Sequence, residues 1–212
     1  MSCRQCKGIE SFFDDGVAQR DLEDFRKKGP GRTTRLLIDA LEAEGVEGGT
    51  LLDIGGGIGA IQYELLDAGA SGVTSVDASP AYVEAAKEEA SRRGVIDRVE
   101  YRPGNFVDLA EEIPPADVVT LDRVICCYDD MHALVALSSA RAEKLYGVVY
   151  PRDRWWIKMG GRVMNLYLRL RGSSFRVYFH PTERVDALIK DNGLKPRFFR
   201  KTFLWQVVVY GH

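Results

Sequence analysis

Between residues 50 and 150, short strand-like runs alternate with helix-like runs, and that alternation leaves few folds open. The runs at 50–54, 73–77, 98–101, 117–122 and 145–150 are apolar or alternating and too short for helices. Between the first three, Ile58, Ile61, Leu65 and Leu66, then Val83, Ala86 and Ala90, recur at helical spacing. Ser79 and Pro80 suit the cap and first position of the second of these helices, and Gly94 stops it. Further helices are expected over 34–44, with Thr33 or Thr34 as cap, over 131–143 and over 182–191. Strands joined by helical crossovers run parallel and are covered on both faces. The pattern therefore predicts an α/β fold with a doubly wound, mostly parallel, seven-stranded sheet. The last two runs, near 197–201 and 203–210, are too close for a crossover and predict an antiparallel C-terminal hairpin.

With 212 residues, 45% of them hydrophobic, one domain with one core is expected over 1–212. Residues 1–48 would form a helical cover, and 152–180 a cap inserted before the last helix. No run approaches the ~18–20 apolar residues of a membrane span, and the first residues lack a signal peptide's apolar stretch. A cytoplasmic location is expected. The formal charge of −2 speaks against a nucleic-acid partner. Cys3 and Cys6 form a single CxxC without a second pair, so no metal site is expected.

The run Asp53-Ile54-Gly55-Gly56-Gly57-Ile58-Gly59 sits between the first strand and its helix. Glycines there permit a sharp turn and let a ligand lie against the main chain. Asp77 ends the next strand, where a carboxylate accepts hydrogen bonds from ribose hydroxyls. Two ligand classes share these features, a nicotinamide or flavin dinucleotide and S-adenosylmethionine. Three details favour the second. Asp53 is acidic where phosphate charge would come close, Gly59 continues the alternation, and Pro103-Gly104-Asn105-Phe106 closes the third strand where an adenine can be held.

On these residues the chain resembles the class I S-adenosylmethionine-dependent methyltransferases of the small-molecule type, over about residues 50–150. The resemblance implies a Rossmann-like fold whose seventh strand is antiparallel. It implies that Asp53, Gly55, Gly57 and Gly59 form the turn under the cofactor, and that Asp77 binds the ribose and Ala78 touches the adenine. Asn105 stands where an Asp is frequent, with Phe106 against the ring. Asp122, Arg123 and Val124 would border the methionine end, and Arg32 and Thr33 would reach its carboxylate from the N-terminal side. The expected activity is methyl transfer to an apolar or anionic small molecule by in-line displacement. The alternatives are an NAD(P)-dependent oxidoreductase and a noncatalytic S-adenosylmethionine-binding protein.

Tyr128 and His132 follow the fourth strand and are the candidate catalytic residues, with His132 as a base near neutral pH and His180 as a further option. After the fourth strand the chain reads Asp122-Arg123-Val124-Ile125. It lacks the Asn/Asp-Pro-Pro-aromatic or Pro-Cys runs of nucleic-acid methylases, which favours a small-molecule substrate. Residues 152–176 hold seven basic side chains against Asp153 alone, interleaved with Trp155, Trp156, Ile157, Met159, Met164 and Leu168. This predicts a basic amphipathic helix, or two broken near Gly160-Gly161, then an extra strand at 175–179. The segment would be a lid or a peripheral contact with an anionic membrane. Similar additions occur in family members acting on quinone precursors or magnesium-porphyrin carboxylates. The runs 8–14 and 32–34 are faintly similar to the porphyrin branch, over too few residues to name a substrate. The sequence leaves the oligomeric state open.

Overall fold

Leu51, Leu52 and Ile54 have no solvent-facing alternates, as befits a strand covered on both faces, and they lie buried in β1 (Thr50–Ile54) near the centre of the sheet. The computed structural model describes residues 4–212; Cys3 and the side chain of Cys6 lie outside what is described. Before β1 come α1 (Arg4–Phe12), α2 (Asp15–Lys28) and α3 (Arg32–Glu44). After it follow α4 (Ala60–Asp67), β2 (Gly72–Asp77), α5 (Pro80–Arg93), β3 (Val99–Pro103), α6 (Phe106–Leu109), β4 (Ala116–Asp122), α7 (Met131–Ser139) and β5 (Ala142–Pro151). The chain continues through α8 (Trp155–Leu170), α9 (Thr182–Asp191), β6 (Lys195–Lys201) and β7 (Trp205–Gly211).

The sheet has the order β3-β2-β1-β4-β5-β7-β6. The first five strands are parallel, and β7 lies antiparallel between β5 and β6. The chain winds from β1 outward to β3, then returns to lay β4 on the other side of β1. That reversal opens a crevice beyond the carboxyl ends of β1 and β4, where open α/β sheets bind ligands. One face buries Phe106, Val135, Tyr146, Val185 and Ile189, and the other Leu37, Leu41, Leu65, Val118 and Val209.

The N-terminal cover is tied down by a buried carboxylate. Glu89 on α5 has no exposed side-chain surface and receives Arg26 Nε of α2 at 2.8 Å, Arg92 Nη2 at 2.5 Å and Arg93 Nε at 2.8 Å. Arg93 also lies over the Phe25 and Tyr63 rings, 5.1 and 4.8 Å from their centroids.

Three local expectations are corrected. The helix α3 starts at Arg32 with Gly31 as its cap and no capping side chain, because the Thr34 hydroxyl is committed elsewhere. Residues 175–179 form no strand, since β7 already occupies the free edge of β5. Instead Asn165 clamps Val177, its Nδ2 donating to the Val177 carbonyl and its Oδ1 accepting from the Val177 N–H, both at 2.8 Å. Finally, α8 runs unbroken through Gly160-Gly161. Gly161 is needed for contact rather than for a break: a Cβ there would come 1.8 Å from Phe179 Cε2. Gly161→Ala is expected to displace Phe179 at a cost of about 1–3 kcal/mol. A thermal melt lowered by roughly 2–12 °C checks it; an unchanged melt would show that the ring moves freely.

Candidate cofactor and acceptor site

A cavity of about 1040 Å³ lies over the carboxyl ends of β1, β2 and β4. Its floor is the turn after β1. Gly55 has φ 65°, its N–H donates to the Val76 carbonyl at 2.7 Å, and a Cβ on it would meet Val124 Cγ2 at 2.5 Å. No other residue type fits both the left-handed backbone and that approach. The turn therefore presents bare main chain to the cavity.

Two buried aspartates frame this turn. Asp77 Oδ2 accepts the Gly57 N–H at 3.0 Å and Oδ1 the Ser79 N–H at 2.8 Å. The strand end, the glycine turn and the start of α5 are thereby locked together. Burial pushes the Asp77 carboxyl above its ordinary value, against the pull of the Ser79, Gly57 and Ala78 main chain. Asp53 Oδ1 accepts the Thr120 hydroxyl at 2.7 Å, while its buried Oδ2 has no hydrogen-bond partner. Burial, opposed by Thr120 and reinforced by Asp122 and Asp77, lifts its carboxyl to about 7. An unpartnered carboxylate oxygen under the turn is a poor floor for a pyrophosphate and a good one for a cationic ligand.

The third wall comes from Asp122 and Arg123. Thr34 Oγ1 donates to Asp122 Oδ2 at 2.5 Å, and Arg123 Nε to Asp122 Oδ1 at 3.2 Å. Arg123 is the one non-glycine residue with positive φ, 63°, among the described residues. Such a backbone costs roughly 1–3 kcal/mol and clusters at ligand sites. Asp122 beside it, against the cost of burial, holds the guanidinium firmly charged.

The roof is apolar. Phe12 stacks on Phe175 at 4.3 Å between centroids, and Phe13 meets Phe175 edge-on at 5.5 Å and Tyr82 at 5.6 Å. Trp156, Ile157, Met164 and Leu168 of α8 complete it with Val177 and Phe179.

Of the residues singled out in the sequence, Asp53, Gly55, Gly57, Asp77, Ala78, Asn105, Phe106, Asp122, Arg123, Val124 and Tyr128 line this cavity. Asn105 also caps α6, its side chain accepting the Val107 N–H at 3.4 Å. Five residues do not line it. Gly59 turns the chain into α4 and points at Gln62 and Tyr63. Arg32 is exposed and Thr33 half-buried, whereas Thr34 reaches the site. Thr34 shares a helical stripe with Leu37, Ile38 and Leu41, and that spacing was the available signal. His132 is exposed because Met131, Leu134 and Val135 take the inward face of α7. His180 also stays off the lining; its Nε2 pairs with the Tyr128 carbonyl at 3.0 Å, and burial keeps it below its ordinary value. The sequence reading missed Asp21 of α2, whose Oδ2 accepts the Tyr82 hydroxyl at 2.5 Å, and it expected Phe175 and Phe179 in an extra strand of the cap, whereas they line the cavity.

This arrangement fits S-adenosylmethionine. Bare main chain at Gly55–Gly57, the Asp77 carboxylate, Asn105 and Phe106 all border the one cavity, with the buried, unpartnered Asp53 oxygen beneath the turn. Comparison with known proteins agrees. Residues 51–147 match the family profile described as "Methyltransferase domain". The chain is 32% identical over 123 residues to the ribosomal protein L11 methyltransferase of Alteromonas mediterranea, covering 55% of this chain and 42% of that protein. It is 35% identical over 154 residues to the same enzyme of Tolumonas auensis, covering 68% and 52%. The chain thus spans about half the length of these curated relatives or less. Magnesium protoporphyrin IX methyltransferase from Synechocystis PCC 6803, solved with bound SAH, has the same fold, with a TM-score of 0.74 at 18% identity over 98% of this chain and 99% of that one. The chain thus carries a methyltransferase domain over residues 51–147 and has the seven-stranded fold and strand-end cleft of the class I S-adenosylmethionine-dependent methyltransferases.

Proposed function

We propose that the protein methylates an apolar small molecule carrying an acidic oxygen. The observation behind this reading is the continuity of one cavity from the glycine turn to the aromatic and aliphatic roof. When bound, S-adenosylmethionine supplies a sulfonium methyl group already activated for in-line displacement. The chain's part is then alignment and exclusion of water. Gly55, Gly57 and Asp77 fix the donor. Phe12, Phe175, Ile157 and Met164 hold an apolar acceptor, and Arg123 and Tyr128, which line the same cavity, meet its polar end. A carboxylic acid has already lost its proton at neutral pH, so transfer to it needs no base, in keeping with the placement of His132 and His180 away from the lining.

The test is transfer of labelled methyl from S-adenosylmethionine to a panel of apolar carboxylic acids and phenols, with ribosomal protein L11 alongside. Labelling of the small acids is expected. Labelling of L11 alone would overturn the acceptor and keep the donor.

Asp53 gives this reading a pH signature. A cationic ligand favours the ionised carboxylate, so binding releases a proton wherever Asp53 is still protonated in the free protein. Affinity for S-adenosylmethionine is expected to rise by up to tenfold per unit of pH below about 7 and to level off above it. Titration calorimetry from pH 6 to 8 checks this; a flat affinity across that window would refute it.

A further inference from the structure

The helix α8 is apolar on two opposite faces. Ile157, Gly161, Met164 and Leu168 look into the cavity. Trp155, Met159, Val163, Leu166 and Leu170, again three or four residues apart, look outward; Trp155 is 77% exposed and Leu170 79%. A helix packed on a core needs only one such stripe. The second stripe continues onto the turn between β6 and β7, where Phe203 is 75% exposed. Trp156 contacts the Phe203 ring at 4.8 Å, and Arg152 Nη1 donates to the carbonyls of Thr202 and Phe203 at 3.0 and 3.3 Å. Helix and turn therefore form one surface. An exposed apolar area of this extent is a contact site.

Its charge names the partner. Arg154, Arg162, Arg169, Arg171 and Lys201 are exposed around the apolar stripe. Asp153 is paired with Lys158, and no Asp or Glu occurs from residue 154 to 182. We propose that this surface docks the protein on an anionic lipid bilayer, with α8 lying in the interface and Phe203 beside it. Among the described residues no helix is long and apolar enough to cross a bilayer, so the contact is with its surface. RNA would engage the arginines but leave Val163, Leu166 and Leu170 without a partner. A second copy would set the same cations against one another.

The surface also bears on the acceptor. Met164 and Leu204 are each about half exposed and also line the cavity, so the cavity opens on the apolar surface. An apolar acceptor dissolved in lipid enters there without crossing water. This last step rests on the acceptor proposed above; the docking does not.

Sedimentation of the full chain with vesicles tests it, using phosphatidylcholine alone and an equal mixture with phosphatidylglycerol, without donor or acceptor. Binding to the anionic vesicles is expected to be at least about tenfold tighter than to the neutral ones and to weaken with salt. Val163→Asp with Leu170→Asp is expected to abolish it while affinity for S-adenosylmethionine stays unchanged. Arg162→Glu with Arg169→Glu should erase the preference for anionic lipid. Three results would each overturn the proposal: no sedimentation at low salt, sedimentation indifferent to the Val163 and Leu170 pair, or a dimer in solution that this pair dissolves. None of these readings involves methyl transfer, so failure here leaves the proposed reaction standing, and failure of that reaction leaves the docking standing.

Discussion

Asp77→Ala is expected to weaken S-adenosylmethionine binding by about a hundredfold or more. In the proposed binding mode the carboxylate accepts hydrogen bonds from two ribose hydroxyls, and a bond to a charged group contributes about 1.5–3 kcal/mol. Every 1.4 kcal/mol is about a factor of ten in Kd. The same carboxylate holds the Gly57 and Ser79 N–H groups, so alanine also leaves two buried donors unmatched. Loss of affinity should therefore come with a lower melting temperature. Asp77→Asn separates the effects: it keeps one acceptor for the turn, so its melt should stay closer to that of the parent while affinity still falls by about tenfold or more. Titration calorimetry with parallel melts reads both. Unchanged affinity in the alanine variant would move the ribose site elsewhere.

Glu89→Ala is expected to cause the largest loss of stability. Breaking a buried ion pair costs about 3–5 kcal/mol. The lower end applies, because Arg92 keeps 53% of its side-chain surface in water and Arg26 and Arg93 each keep 27%. At roughly 2–4 °C per kcal/mol for a chain of this size, the melt should fall by about 6–12 °C. Burial pushes the Glu89 carboxyl up, but the guanidiniums of Arg92, Arg93 and Arg26 outweigh it and hold it at about 2. Its folded value is depressed, so its contribution is complete above the ordinary value of 4.5 and is lost as pH falls toward 2. Parent and Glu89→Gln should thus converge in acid. Because Asp21, Asp24 and Phe25 of α2 line the cavity, saturating S-adenosylmethionine should recover part of the loss. A melt within a degree of the parent would show that α2 is held by its apolar contacts alone.

The sheet was readable because burial on both faces writes itself into the chain as short apolar runs, and the crossovers fix their direction. The floor of the site was readable for a related reason. A turn that must pass under a ligand tolerates little besides glycine, and the acids that brace it stand at or beside the ends of their strands, Asp53 one residue before the end of β1 and Asp77 at the end of β2. Of the roof only the segments were readable, as a cap over 152–180 and a cover before residue 48. The contacts within it were not, because Phe12, Phe175 and Phe179 come from segments that no periodicity links, and Gly161 looks like a helix breaker until Phe179 is placed against it. Arg32 and Thr33 were chosen by their neighbourhood in the chain, yet the rotation of α3 selects Thr34. His132 was chosen for its chemistry, and the apolar face of α7 turns it away. Arg123 lines the cleft, but its left-handed backbone has no signature in a single sequence.

The two outer strands carry a consequence for how copies of the protein meet. Along β6, Lys195, Pro196, Arg197, Arg200 and Lys201 occupy the open rim, and Pro196 has no N–H to offer. Along β3, the rim holds the Glu100–Arg102 ion pair and Pro103. Joining two β6 strands would bring one row of cations against another and leave a missing donor at each proline. Lateral growth of the sheet from molecule to molecule, the first step of strand-mediated aggregation, is thereby blocked at β6 by charge and hindered at β3 by proline, and crowding at high concentration must find another route.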